Sequence, residues 1–340
     1  MASKKSATIQ DVANHAGVSK TAVSKVIRNA YGVSDAMRDR VNAAIKDLDY
    51  RPSVAARSLR GSSYTIGVEL PRVNNPLFDE IVTGATKSLL DTPYQLVLAP
   101  ATSDRGEGVR AINALVDRQV DGLVVVSPVV DRPWLENIAQ RIPTVMVGRH
   151  DDTKFYDTVT VDDVIGTTLL IQHLLDLGHR RIAHVTVRHA SATPGTTSPH
   201  ALRLETYERM LRAAGGKPIV VQASSDLEED IRGLVRALLD SAERPTAIFA
   251  GNDTIALSAM WAIAEAGLTQ ADVSVVGFDN IEIAAHPLIS LTTIDHSGEE
   301  MGRQAISLLL ERIDGRADAR HIQLDPRLYV RGSSVQLLPS

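Results

Sequence analysis

Two groups of side chains in this 340-residue chain have types and spacings that can do chemistry. The first is a set of donors, Lys20, Thr21, Ser24, Lys25 and Arg28, which share the outward face of one short helical stretch. Cations and hydroxyls on such a face can reach base edges and phosphates in a major groove. The second group is scattered in sequence. Asn75, Arg149, Asp162, Asn252, Asp253 and Asp279 each follow an apolar, β-rich run. Ligands of open α/β sheets sit beyond the carboxyl ends of the strands. Amides, carboxylates and guanidinium groups converging there suit a polyhydroxylated ligand, whose every hydroxyl needs a donor or acceptor. The apolar face of a sugar also needs a wall, for which Phe78, Tyr207, Phe249, Trp261 and Phe278 are the aromatic candidates.

Other chemistries lack their residues. The chain has no cysteine, which excludes disulfides, thiolate metal sites and cysteine nucleophiles. Phosphate-loop, dinucleotide, nucleophile-elbow and HExxH signatures are missing, and the ten histidines show no metal-ligand spacing. Asp295 and His296 are neighbours in sequence, which alone makes no catalytic pair. No catalytic residue, metal or cofactor is expected. No apolar run is long enough to span a membrane, and Lys4 and Lys5 are followed by no apolar segment, so no secretory signal is read. The expected address is the cytoplasm.

The elements that position the first group are short helices. Thr8 with Asp11 reads as a capping box, Gly17 stops that helix, and Ser19 caps a second carrying Val23, Val26 and Ile27 inward. A third opens at Ser34. Two helices joined by a short glycine-containing turn, then a third, form the helix-turn-helix arrangement. Residues 1–60 hold eleven Lys and Arg against five Asp and no Glu, although the whole chain carries −5. A basic module on an acidic body implies a polyanion partner for the module alone. After Pro52, residues 53–59 are too few and too weakly apolar to hold a helix alone, and Arg57 and Arg60 are placed to hold phosphates.

From Tyr64 strands alternate with amphipathic helices. Strands are read at 65–70, 95–99, 122–126, 144–147, 181–187, 218–221, 247–250 and 273–277, and helices at 104–116, 164–177, 202–214, 227–239, 254–266 and 297–313. This alternation means parallel, doubly wound sheets, and its length calls for two lobes.

The segment from Ala7 to Arg60, "ATIQDVANHAGVSKTAVSKVIRNAYGVSD…YRPSVAARSLR", resembles the LacI/GalR family of bacterial transcriptional repressors. "LGHRRIAHV" and "VVGFDN" extend the likeness through the body. The resemblance implies a helix-turn-helix domain over 1–50, a hinge helix and linker over 51–63, and a two-lobed, periplasmic-binding-protein-like α/β effector-binding and dimerisation domain (type I) over 64–340. It implies base reading by Lys20, Thr21 and Lys25, backbone contacts by Thr8, Ser19 and Ser24, and Leu59 as a minor-groove wedge in a hinge helix that forms on DNA. Lys25 stands where the family commonly has Arg, which replaces a bidentate fork by a point charge. It further implies effector contacts at Asn75, Phe78, Arg149, Arg203, Asn252 and Asp279, with Asp162 either a contact or a strand-end anchor. Each has a structural alternative: Asn252 as a helix cap, Asp279 as a turn residue, Arg203 as a surface ion pair, Phe78 as core.

The implied function is a homodimeric, ligand-responsive regulator, in most cases a repressor, on near-palindromic operator DNA. Its effector is a small molecule, a neutral sugar first, with a sugar acid paired to Arg149 or Arg203, a nucleobase or a protein corepressor as alternatives. A sugar-binding protein without a DNA role is the competing class. The ending after "YVRGSS" shows no heptad tail, so dimers are expected over tetramers.

Overall fold

The computed structural model describes residues 7–27, 30–50, 62–71, 75–101, 105–187, 198–224 and 228–337. They belong to two compact units, Met1–Ser63 and Tyr64–Ser340. In the first, α1 (Ile9–Ala16) starts at a reciprocal cap. Thr8 Oγ1 accepts the Asp11 N–H, and the Asp11 carboxylate accepts the Thr8 N–H at 2.8 Å. Gly17 ends the helix at φ +63°, and a Cβ there would meet nothing within 4 Å. The position therefore needs left-handed backbone freedom, not space. Ser19 caps α2 (Lys20–Ile27) and Ser34 caps α3 (Asp35–Asp47). Val12, Ala13, Val23, Val41, Ala44 and Tyr50 make the core. Ala13 is 1% exposed, as a small residue at a helix crossing should be.

The body starts with β1 (Thr65–Leu70), α4 (Pro76–Lys87), β2 (Gln95–Pro100), α5 (Arg105–Asp117), β3 (Gly122–Val126), α6 (Arg132–Ala139), β4 (Thr144–Val147) and β5 (Asp157–Val161). It continues with α7 (Asp163–Asp176), β6 (Ile182–Val187), α8 (Pro199–Ala213), β7 (Ile219–Ala223), α9 (Glu228–Leu239), β8 (Ala247–Ala250), α10 (Asp253–Glu265), β9 (Ser274–Asp279) and β10 (Thr292–Asp295). It closes with α11 (Gly298–Ile313), β11 (His321–Leu324) and β12 (Arg327–Tyr329). Among the described residues the strands make two six-stranded sheets, ordered β11-β5-β4-β3-β1-β2 and β12-β10-β9-β8-β6-β7. All pairings are parallel except β12 on β10. The chain crosses between lobes after β5, after β10 and after β11. Each sheet reverses its winding beside its first strand, which opens a crevice at the strand ends.

Four strands go beyond the sequence reading. β5 (DTVTV) and β10 (TTID) are buried yet rich in threonine, so hydropathy hides them; β11 and β12 are short edge strands. Helices α4 and α6 also lay outside that reading.

The first lobe packs Ile66, Val68 and Val145 against Leu77 and Ile81 of α4 and against Ala305 and Leu309 of α11. Helices α4 and α11 approach backbone to backbone. A Cβ on Gly84 would lie 1.9 Å from Glu299 O, and one on Gly302 2.0 Å from Ile81 O. Helix α11 is thus fastened to the first lobe, although the strand before it, β10, belongs to the second sheet. In the second lobe, Leu170, Ile171 and Leu174 of α7 pack on Val276, Phe278 and Ile294.

Candidate functional site

On α2 the side chains of Lys20, Thr21 and Lys25 are exposed, as a groove-reading face requires. Ser24 departs from the expected outward face: it is buried at 9% exposure on the side of Val23. Eight residues of helix turn it inward, because position 24 follows the core position 23 by only 100°. Thr8 commits its hydroxyl proton to Asp11 Oδ2 at 2.7 Å, whereas Ser19 Oγ accepts the Ala22 N–H and so uses a lone pair. Arg28, Arg57 and Leu59 lie outside the described residues.

The body holds a cleft at the strand ends of both sheets, with a cavity of about 100 Å³. That is several times the space one water needs. Asn75, Phe78, Arg149, Arg203, Asn252 and Asp279 all line it; Asp162 does not. Asp162 instead caps α7, its Oδ1 accepting the Ile165 N–H at 2.8 Å. Asn75 caps α4 from the cleft wall, accepting the Leu77 N–H. Asn252 does both: its Oδ1 accepts the Ile255 N–H at 2.9 Å and the Thr254 hydroxyl at 2.8 Å, which leaves its amide NH₂ as the group for a ligand.

Both arginines are buried, 1% and 2% exposed, and both are paired. Arg149 Nη2 donates to Asp151 Oδ2 at 2.6 Å, and Nη1 donates to the carbonyls of Pro128 and Val130. The Tyr156 hydroxyl donates to the same Asp151 oxygen at 2.6 Å. Arg203 Nε donates to Asp163 Oδ1 at 2.6 Å and Nη1 to Gly251 O at 2.7 Å. Its guanidinium stacks 3.6 Å from the centre of the Phe278 ring, a cation–π contact. Arg203 is therefore no surface ion pair. Asp279, at φ +131°, accepts from His296 Nδ1 at 3.1 Å, both groups buried.

Ser127, Ser198 and His296 also line the cleft and were not singled out from sequence as site residues. His296 meets Asp279 across 17 positions because β10 lies in register with β9, Asp295 opposite Asp279. Only that pairing could have signalled it. The sequence offers His189 and His200, near the loop after β6, either as effector contacts or as solvated histidines: His200 lines the cleft and shares a hydrogen bond with Thr186 at 3.1 Å, and His189 lies outside the described residues. Of the aromatic candidates only Phe78 reaches the cleft, half-buried. Tyr207 and Phe249 are core, Phe278 is buried under Arg203, and Trp261 is half-exposed beneath Arg232.

Electrostatics follow from this pairing. Burial alone would raise the Asp163 carboxyl, but the Arg203 charge and the His150 hydrogen bond outweigh it and hold it at about 2. Asp253 lies fully buried behind Asp279, and burial with that neighbouring charge pushes it up to about 7. It accepts from Thr293 Oγ1 at 2.6 Å and from the Ile281 N–H at 3.0 Å, a structural role. Glu69, on the far face of β1 from α4, is pushed by burial to about 8, the Val126 backbone and the Arg149 charge offsetting only part of that rise. Among the described residues no cluster of three or more His, Asp or Glu could hold a metal. Among them, no helix is long and apolar enough to cross a membrane.

Residues 8–53 match the family model for bacterial regulatory proteins of the lacI family, and residues 171–334 match a periplasmic binding protein-like domain. The chain is 36% identical over 338 residues to the ribose operon repressor of Escherichia coli (strain K12), covering 96% of this chain and all of that protein. Its fold is similar to that of the lac repressor dimer bound to operator and the anti-inducer ONPF, with a TM-score of 0.80 and 28% identity over 97% of this chain and all of the other. It is also similar to a LacI family transcriptional regulator from Enterococcus faecium with bound ribose, with a TM-score of 0.70 and 28% identity over 81% of this chain and all of that one. With helices α1 to α3 presenting cations and a two-lobed body presenting a cleft with polar groups, the chain belongs to the lacI family of bacterial regulatory proteins, as a ligand-responsive transcriptional repressor.

Proposed function

We propose that the effector is a small neutral polyhydroxylated molecule, D-ribose being the first candidate, bound in the cleft by Asn75, Phe78, Arg149, Arg203, Asn252 and Asp279. The pairing of both cleft arginines with buried carboxylates carries this reading. A cleft whose cations are neutralised offers donors and acceptors without a net positive field. A sugar acid would place its carboxylate beside Asp163 or Asp151 and be repelled. The ribose operon repressor and the ribose-bound regulator support a pentose. The walls differ in kind, with Leu77, Ile81, Val126 and Val147 facing Ser198, Arg203, Asn252 and Asp279. A sugar with one apolar and one hydroxyl-rich face fits between them.

In this reading the protein acts in the cytoplasm as a homodimer and binds its ligand without turnover. Lys20, Thr21 and Lys25 read the operator, Ser19 and Arg28 hold the backbone, and Arg57 and Leu59 serve the hinge, while Thr8 caps α1 and Ser24 packs on the core side of α2. The dimeric lac repressor supports a second copy, and Leu90 and Leu98 expose apolar surface beside the open edge of β2. Effector and operator affinities are linked reciprocally, so a ligand that favours one lobe arrangement must change operator affinity.

The test is thermal unfolding with D-ribose, D-ribonate and uncharged hexoses, followed by operator binding on duplexes selected from a random pool. Ribose should raise the melting temperature with the logarithm of its concentration above Kd, and ribonate should not. A larger shift with ribonate would overturn the neutral reading. Weaker operator binding in ribose would mark it as an inducer, tighter binding as a corepressor.

A further inference from the structure

Asp163 opens α7, directly after the first crossing between lobes, and is 1% exposed. Its two carboxyl oxygens serve different lobes. Oδ1 accepts from Arg203 Nε on α8 of the second lobe at 2.6 Å. Oδ2 meets Nε2 of His150 at 2.8 Å, and His150 lies between β4 and β5 of the first sheet. On the second-lobe side this assembly is rigid. Gly166, one turn into α7, packs so closely that a Cβ would lie 2.8 Å from the Phe278 ring. That ring carries the Arg203 guanidinium at 3.6 Å. Asp163, Phe278 and Arg203 are therefore locked together within one lobe, and His150 is the first-lobe group that grips them.

We propose that His150 is a positioning residue of the effector site, the first-lobe half of a latch that, through Asp163, sets the place of Arg203 against the closed cleft. It rests on the reading of Arg203 as an effector contact. His150 does not line the cleft; it acts through the carboxylate. When the lobes separate, the His150 bond must break while the Arg203 bond persists. Latch and ligand grip are then coupled, and Arg203 is best placed only in the closed form. The latch also joins neighbours of both cleft arginines, since His150 follows Arg149 in the chain.

Two measurements decide it. The first uses no ligand: a double-mutant cycle in unfolding stability with His150→Ala and Arg203→Met in the full chain. His150 and Arg203 share Asp163, so the latch requires a non-additive cycle, the second substitution costing less than it does alone. An additive cycle overturns the latch whatever the effector is. The second is D-ribose binding. If the wild-type chain binds ribose, His150→Ala should raise Kd about tenfold, chiefly through faster release. His150→Gln, which can donate to the same carboxylate, should return to within about threefold. An unchanged Kd in His150→Ala, or no rescue by glutamine, removes the positioning role. If the wild-type chain does not bind ribose, the effector reading fails instead, and the stability cycle still decides the latch.

Discussion

Arg149 and Arg203 hold comparable places in the two lobes: each is buried, each follows or faces a strand end, and each lines the cleft from its own side. Their partners differ. Arg149 is tied to Asp151 and to two carbonyls, all between β3 and β5 of its own lobe, and Asp151 is held in turn by Tyr156. Arg203 shares Asp163 with a histidine from the opposite lobe. One arginine braces a lobe, and the other reports where the lobes stand. Most of the apolar lining goes with the braced arginine and most of the polar lining with the shared one, although Asn75 and Ser127 add polar groups on the braced side.

The sharpest way to break this contrast is to remove each guanidinium. Either Arg203→Met or Arg149→Met strips a buried carboxylate of its cation, which costs about 3–5 kcal/mol of folding stability. The affinities should separate the two. Arg203→Met should weaken D-ribose binding by about a hundredfold or more, a loss of about 3 kcal/mol. Arg149→Met should weaken it by about tenfold or less, since its Nη groups already serve the lobe. Calorimetric titration beside urea unfolding reads both quantities. Equal losses of affinity would dissolve the distinction between brace and reporter.

Buried carboxyls sharpen the same comparison. In the second lobe Asp253, raised to about 7, still accepts hydrogen bonds from Thr293 and Ile281. In the first lobe Glu69, raised to about 8, meets the Val126 backbone too weakly to offset its burial. A carboxyl whose folded value lies above its unfolded one binds its proton more tightly in the native state. Its stabilising effect is complete below the unfolded value of 4.5 and is lost as pH rises through about 8. Glu69→Gln removes this titration. The variant should gain on the wild type as pH is raised from 5 to 8, by roughly 3 kcal/mol in all. A constant gap between the two across that range would show that Glu69 does not titrate there.

These contrasts also mark what the sequence could convey. The three N-terminal helices were legible because their signals are local: Thr8 with Asp11, Gly17, Ser19 and Ser34 all act within a few residues, and each cap forms as read. Ser24 escaped because one step of helix decides between core and surface. In the body, the strand-end rule found Asn75, Arg149, Asn252 and Asp279, whereas Arg203 came from family resemblance, since it sits within a helix and follows no strand. The partners of these residues were not legible. Asp163 meets Arg203 across 40 positions, and His296 meets Asp279 through strand register, so only the folded sheets bring them together. The strands β5 and β10 were hidden for a related reason, their threonines being satisfied by partners far along the chain.

The smallest test compares two asparagine-type caps, one in the cleft and one outside it. Asp162 and Asn252 both accept a backbone N–H three residues on, at the starts of α7 and α10. Replacing either by alanine should cost about 1 kcal/mol of stability, the usual loss for such a cap. Their ligand effects should differ, because Asn252 lines the cavity and Asp162 does not. Asn252→Ala should weaken D-ribose binding by about tenfold, and Asp162→Ala by no more than about twofold. A large loss in Asp162→Ala would mean that the start of α7 itself governs the grip on ligand. The crossing at Asp162 and Asp163 would then act as one unit with the second-lobe wall, and the cap would belong to the site after all.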